Sequence, residues 1–135
     1  MSAAIELQKA VFAQLSGDAA LTALLAGAKI FDHVPAHVAF PYLTFGRVSV
    51  FDWSADTSPG AEVFFTLHAW SKARGKSEAL AILERARALL HEAELPLAGH
   101  RLVNLRAESA EAGFVDDFDV HHARLRFRAV VEEVG

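Results

Sequence analysis

Aspartate and histidine are the residue types in this chain that could hold a metal ion, and they are densest near its C-terminal end. Asp116, Asp117 and Asp119 precede the adjacent His121 and His122. A catalytic metal needs about three ligands that converge from fixed elements. Adjacent residues of a strand point to opposite faces, so only one of these histidines could join a given site. We therefore interpret the cluster as an acidic loop entering a strand and predict no metal site. A small metal-dependent hydrolase is the alternative.

The remaining candidates offer no better catalytic arrangement. His33 and His37 are four residues apart, a spacing that chelates on a helix, but Pro35 lies between them and argues against a helix. His68 lies among aromatic residues of a predicted strand, which is typical of a packed, hydrogen-bonded histidine. Cysteine is absent, no serine lies in a Gly-x-Ser-x-Gly turn, and no glycine-rich phosphate-binding motif occurs. The sequence therefore predicts no catalytic residue and no cofactor, so we expect a protein that is not an enzyme.

Three arginines alternate with apolar residues in the last predicted strand. Arg124, Arg126 and Arg128 occupy every second position, which places them together on the exposed side. They could form an ordinary solvated face with acidic neighbours, or a surface that meets an acidic partner subunit or passing DNA. Such charges also oppose edge-to-edge aggregation.

The elements that must position these residues are organised around residues 61–93. Residues 61–70 alternate with period two and are largely apolar on both sides, which predicts a strand covered at least partly on both faces. From about Ser77 the apolar residues recur every three or four positions, which predicts an amphipathic helix of about 16 residues. Pro96 prevents this helix from continuing.

Two helical segments precede the sheet. Residues 3–16 and 19–25 have helical periodicity, Ser2 and Asp18 are candidate N-caps, and Gly17 is a candidate stop. The stripe of the first helix that we expect to be buried consists of Ile5, Phe12 and Leu15, flanked by Leu7 and Val11.

A long hairpin is the clearest β signal. Residues 42–53 predict the first long strand, with Leu43, Phe45, Phe51 and Trp53 on one side. Residues 52–60 are polar and end in Pro-Gly, so they predict a flexible hairpin tip between two strong strands. Long loops tend to be functional. The residues of this tip that we single out as candidate contact residues are Phe51, Asp52, Trp53, Asp56 and Thr57.

The rest of the chain completes one domain that spans residues 1–135. We expect a short edge strand near Ile30 and a further strand over residues 100–108. In that strand, Leu102 is predicted on one face and Val103 and Leu105 on the other. An acidic loop over residues 109–119 and a strand over residues 120–131 follow. The predicted class is α+β: an antiparallel sheet of about four main strands with a long hairpin, packed on one face by the long helix and the N-terminal helix.

Composition excludes several classes of protein. No apolar run approaches the roughly 20 residues that cross a bilayer, so no membrane association is expected. Thirteen basic and seventeen acidic residues give a net charge of −4, which argues against nucleic-acid binding as the main role.

A series of short segments, taken together, resembles one protein family. The segments are His33-Val34-Pro35, Phe40-Pro41-Tyr42, Leu67-His68-Ala69-Trp70-Ser71, Gly75, Glu78-Ala79, Gly99, Leu102-Val103-Asn104-Leu105-Arg106 and Arg126-Phe127-Arg128-Ala129. They resemble the tail-completion, or tail-terminator, proteins of long non-contractile-tailed phages and of phage-like gene transfer agents. The resemblance covers roughly residues 30–131.

The resemblance implies a structural protein of a virion or phage-like particle, present in the cytoplasm during assembly. Such proteins form a ring, usually a hexamer, at the head-proximal end of the tail tube. The ring stops tube polymerisation and offers a surface to the head–tail connector, or stopper, protein. The expected partners are therefore further copies of the chain, the tail tube protein and the stopper, while DNA passes through the lumen without specific binding. With this role we predict that the candidate contact residues of the hairpin tip make assembly or tail-tube contacts, and that Arg124, Arg126 and Arg128 lie on a ring or lumen face. A stopper or adaptor role at the same neck is the alternative within this class.

Overall fold

The computed structural model describes residues 2–55 and 58–134, and these form three α-helices, a 3-10 turn and six strands. The helices are α1 (Ala3–Ser16), α2 (Ala19–Leu25) and α3 (Ser77–Leu90), and the 3-10 turn is Asp116–Phe118. The strands are β1 (Ile30–Phe31), β2 (Tyr42–Asp52), β3 (Gly60–Ser71), β4 (Pro96–Leu97), β5 (His100–Val115) and β6 (Val120–Glu133). The predicted α+β class and the predicted short strand near Ile30 are confirmed.

One mixed sheet contains all six strands in the order β1-β2-β3-β6-β5-β4. The four long strands are antiparallel to their long neighbours, as predicted, but β1 runs parallel to β2. The prediction of about four strands missed β4, whose two residues pair with the start of β5. A strand of two residues has no periodicity from which it could be predicted.

The helices α1 and α3 pack on one face of the sheet, which we call the inner face, and α2 packs against α3. The buried stripe of α1 differs from the predicted one. Leu7, Val11 and Leu15 are almost fully buried, whereas Ile5 is 57% exposed and Phe12 is 44% exposed. Residues four apart lie one above the other along a helix, so the side chains of Leu7, Val11 and Leu15 form one row on the face of α1 that packs on the sheet.

A bulge in β2 reverses the predicted sides of that strand. The pairing with β3 shifts by one residue between Phe45 and Val48, so Val48 lies opposite Phe65, on the inner face. Phe51 lies opposite Glu62, on the other face, which we call the outer face. One extra residue inverts every later side-chain direction in a strand, so the prediction that Phe51 shares a side with Phe45 was wrong.

The predicted acidic loop over residues 109–119 is wrong for residues 109–115, because β5 continues to Val115, while residues 116–119 form the predicted connection. Residues 109–115 pair with β6, from Ser109 opposite Arg126 to Val115 opposite Val120. Small residues have weak strand propensity, but pairing against a strong neighbouring strand overrides it. A register shift in β5 between Leu102 and Asn104 also places Leu102 and Leu105 on one side, opposite Val131 and Ala129, instead of on opposite sides.

The two faces of β3 differ in burial. Val63, Phe65, Leu67 and Ala69 are buried on the inner face, while the outer-face residues that alternate with them are half-buried. The outer face is thus the surface of the sheet that carries the polar side chains.

In residues 2–55 and 58–134, no helix has the length and apolar character that crossing a membrane requires.

Candidate functional site

The tip of the β2–β3 hairpin presents two of its predicted contact residues to solvent as large apolar side chains. Phe51 is 55% exposed, Trp53 is 44% exposed, and Asp52 between them is exposed as well. Asp56 and Thr57, the other two predicted contact residues, lie outside the described residues. The described part of the tip therefore combines exposed aromatic rings with polar neighbours.

Hydrogen bonds give the base of this tip a defined shape. The Trp53 N–H donates to the Gly60 carbonyl at 3.0 Å, and the Ser54 hydroxyl bridges from the Asp52 carboxylate, at 2.6 Å, to the Gly60 N–H, at 3.2 Å. Ala55 and Ser58 form one further antiparallel bridge. Gly60 is required here, because a Cβ at that position would lie 2.8 Å from the Trp53 carbonyl oxygen. The backbone at Trp53 is therefore hydrogen-bonded to β3 at the end of the β2–β3 ladder.

The arginine row of β6 lies on the outer face, as its alternation predicted. Each member has a glutamate partner on a flanking strand: Arg124 pairs with Glu111 at 2.8 Å, Arg126 with Glu108 at 3.2 Å and Arg128 with Glu62 at 2.6 Å. The guanidinium of Arg126 also lies 4.8 Å from the centre of the Phe64 ring. The acidic neighbours considered in the sequence are therefore present, and they come from β3 and β5.

A stack of three rings occupies the same face at the other end of β3. The His122 ring lies 4.1 Å from the Trp70 ring at an angle of 7°, and 4.8 Å from the His68 ring. The two histidines share a hydrogen bond of 2.6 Å, and the Trp70 N–H donates to the Thr44 hydroxyl at 3.0 Å. Burial, with the charges of His122 and Arg124, lowers the pKa of His68 to about 4, and burial lowers the pKa of His122. The stack is therefore an uncharged, packed cluster, as the aromatic context of His68 predicted.

The candidate metal cluster is not brought together. His122 is engaged with His68 on the outer face, whereas His121 lies on the inner side against Phe114, with their ring centres 4.8 Å apart. In the described ranges, no group of three His, Asp or Glu side chains is placed to hold a metal ion. Asp116 and Asp117 lie in the exposed 3-10 turn after β5.

The sheet has one partly uncovered edge on each side. On one side, β1 pairs only with Leu43 and Thr44, so residues 46–52 of β2 pair only with β3 in the described chain.

On the other side, β4 covers the start of β5, and two hydrogen bonds extend that cover. The Glu92 N–H donates to the Leu105 carbonyl, and the Ala107 N–H donates to His91 Nδ1. Residues 109–115 beyond them pair only with β6 in the described chain. These two stretches, named here the β2 edge (46–52) and the β5 edge (109–115), present unpaired backbone groups.

Sequence reasoning missed the β5 edge, and it predicted acidic neighbours for the arginines without identifying which glutamates they are. The alternation of Ala110 and Ala112 with polar residues is a signal for the first, but it is weak in a stretch rich in acidic residues. The partner of Arg128 lies 66 positions away in the sequence, so no local pattern connects the two residues.

Comparisons with known proteins found one matching family and a similar chain in a solved structure. Residues 9–132 match the family described as "Tail completion protein gp17". The structure is similar to a chain in a solved structure titled "Virion of native gene transfer agent (GTA) particle", with a TM-score of 0.90 and 36% sequence identity over 97% of this chain and 98% of that one. No protein with a curated function matches the sequence.

Proposed function

The chain belongs to the tail completion protein gp17 family, and we propose that it forms the ring that terminates the tail tube of a phage-like particle. As a member of this family it is a structural component of a virion or gene transfer agent particle and not an enzyme. In the proposed role, six copies close into a ring at the head-proximal end of the tube. The ring stops polymerisation of the tube protein and presents a surface to the stopper.

The observation that carries the ring is the pair of unpaired edges on opposite sides of one sheet. A closed ring needs a head-to-tail interface, in which two different surfaces of the chain meet. The β2 edge and the β5 edge are two such surfaces. Because each long strand is antiparallel to the next, β2 and β5 run in opposite directions. Two copies in the same orientation therefore bring these edges together as an antiparallel pair when one copy is shifted along the strands, because residues 48–52 of β2 lie level with residues 102–107 of β5. Such a shift is compatible with a closed ring when the strands are tilted relative to its axis.

Exposed apolar side chains support the same interface on the β2 side. Val48 and Val50 are 41% and 53% exposed on the inner face of the β2 edge. Ile5 and Phe12 of α1 lie with Val48 along one groove beside that edge. Burial of such side chains stabilises an association by about 25 cal/mol per Å² of apolar area removed from water, before the cost of ordering is subtracted. We propose that the α1 flank and the β2 edge together contact the next subunit.

A cross-linking experiment tests the ring directly, because the chain has no native cysteine. We expect the double variant Val50→Cys, Ala110→Cys, bound to purified tail tubes and treated with a short bis-maleimide, to give a ladder of products that ends at six subunits. Each single variant serves as the matched control and is expected to give no ladder.

Three outcomes would contradict the proposed function. The protein could remain a single subunit of 14.6 kDa on tubes. The ladder could extend past six, which would indicate an open filament. Particles assembled without the protein could have joined tails of normal length and heads that leak DNA, which would indicate a stopper instead of a terminator.

A further inference from the structure

The arginines of β5 and β6 are matched one to one with glutamates. Five arginines of β5 and β6 each form an ion pair with a single, different glutamate. The pairs are Arg101–Glu132, Arg106–Glu92, Arg124–Glu111, Arg126–Glu108 and Arg128–Glu62. The chain as a whole is acidic, yet this group of ten side chains carries no net charge.

Three of these glutamates enclose the β6 row from both sides. Glu62 reaches it from β3, and Glu108 and Glu111 reach it from β5. Glu111 accepts from both Nε and Nη2 of Arg124, at 3.1 and 2.8 Å, so the planar fork of that arginine is occupied. The hydrogen-bonding groups of Arg124 are therefore directed at a carboxylate of the same chain.

Stability alone does not account for this arrangement, because exposed ion pairs contribute only about 0–1 kcal/mol each. Arg124 and Arg126 are more than half exposed, and their partners are exposed as well. What the pairing does change is the field that the face presents to a passing polyanion. A carboxylate beside each guanidinium cancels its attraction for a phosphate.

Without its glutamates, the row would suit DNA. Alternate residues of a strand lie about 6.7 Å apart, which is about twice the axial spacing of 3.4 Å between phosphates on one DNA strand. Arginine is also the side chain that binds phosphate most strongly through two parallel hydrogen bonds.

We propose that Glu62, Glu108 and Glu111 keep the β6 face neutral so that DNA passes along it without adhering. This inference rests on the proposed ring, and it further places the outer face, with its arginine row, toward the lumen. The partner is double-stranded DNA that moves through the lumen, and the three glutamates prevent the arginines from retaining it.

The triple variant Glu62→Gln, Glu108→Gln, Glu111→Gln tests the proposal on the isolated protein by fluorescence anisotropy with a labelled 20-base-pair DNA of mixed sequence. We expect wild type to bind weakly and the variant to bind at least about tenfold tighter in 50 mM salt. Three released arginines are expected to steepen the slope of log K against log salt by about 2.7, at about 0.9 per phosphate contact. Adding Arg124→Gln, Arg126→Gln and Arg128→Gln to the variant is expected to abolish the gain.

A charge-matched control separates the local effect from net charge. Glu84→Gln, Glu94→Gln, Glu133→Gln changes three exposed glutamates that form no ion pair within the described residues, and it raises the net charge from −4 to −1, as the test variant does. Equal DNA binding by the two variants would overturn the proposal. Tight DNA binding by the wild-type protein that is lost when the three arginines are substituted would also overturn the proposal.

The DNA-binding assay gives a result whether or not the protein forms a ring. It requires only the folded chain, which urea unfolding checks for each variant, and the single variant Glu111→Gln replaces the triple variant if the latter does not fold. If the protein forms no ring on tubes but the variant gains DNA affinity, the proposed function is contradicted. The neutralisation of the arginine row by the glutamates is then still supported. A protein that forms rings but gains no affinity contradicts only the present inference.

Discussion

At the scale of single residues, the outer face depends on one position without a side chain. Gly46 lies in the β2 bulge, and a Cβ there would lie 2.2 Å from His68 Nε2. The absence of that Cβ lets the His68 ring lie flat beside β2 and reach His122. The histidine–tryptophan stack and the bulge are therefore two parts of one packing arrangement.

We predict that Gly46→Ala destabilises the protein by about 1–3 kcal/mol, since overpacking of a filled site costs that much. Urea unfolding followed by tryptophan fluorescence measures the effect, and Trp70 reports on the displaced stack. Gly113→Ala is the matched control, because a Cβ at that strand position meets nothing within 4 Å. Equal losses in the two variants would show that backbone flexibility, and not the His68 contact, sets the cost.

At the scale of elements, Asp18 joins two helices. Its carboxylate accepts the Leu21 N–H at 2.8 Å and so caps α2, and it accepts two hydrogen bonds from Arg85 of α3, at 2.7 and 2.8 Å. These bonds, with that of Arg85 first, lower the pKa of Asp18 to about 2. A helix of seven residues is not stable alone, so α2 depends on this attachment and on its buried leucines.

We predict that Asp18→Asn lowers the urea midpoint at pH 7 and has little effect at pH 2. Asparagine retains the cap but loses the charge that pairs with Arg85. The pKa of the carboxyl is lower in the folded state than its ordinary value of 3.8, so its contribution is complete above pH 4 and is lost as the pH falls toward 2. Asp32→Asn, at an exposed residue that forms no ion pair in the described chain, is the control. A deficit that persists unchanged at pH 2 would indicate a defect other than the lost charge.

At the scale of the whole molecule, one sheet provides three surfaces with different tasks in the proposed ring. Its edges are placed to meet neighbouring copies, its outer face to pass DNA, and its hairpin tip to contact the tube. The tip lies at the end where β2 finishes and β3 begins, away from the β5–β6 turn. In this proposal, a structural protein of this family acts through shape, strand edges and balanced charge.

For the tip, we predict that Trp53→Ser leaves folding and ring formation intact but greatly reduces the capping of tail tubes. The reason is that the exposed ring of Trp53 is available to a partner and contributes little to the core of the subunit. Leu24→Ser, which removes a side chain of similar exposure from α2, is the control. Electron microscopy measures the lengths of tails assembled with each variant. Normal tails with Trp53→Ser, and also with residues 55–59 deleted, would exclude the tip from tube contact.

The sequence by itself determined the features that depend on neighbours a few positions apart. Helical spacing gave α1 its bounds, Ser2 and Asp18 were identified as caps, and the period of two in β6 separated its buried residues from its arginines. The tertiary structure alone decided which sides of β2 and β5 are buried, because a single bulge residue inverts every side chain that follows it. It also decided which glutamate meets which arginine and which strand edges stay unpaired. Those contacts join residues far apart in the chain, and no local period encodes such a distance.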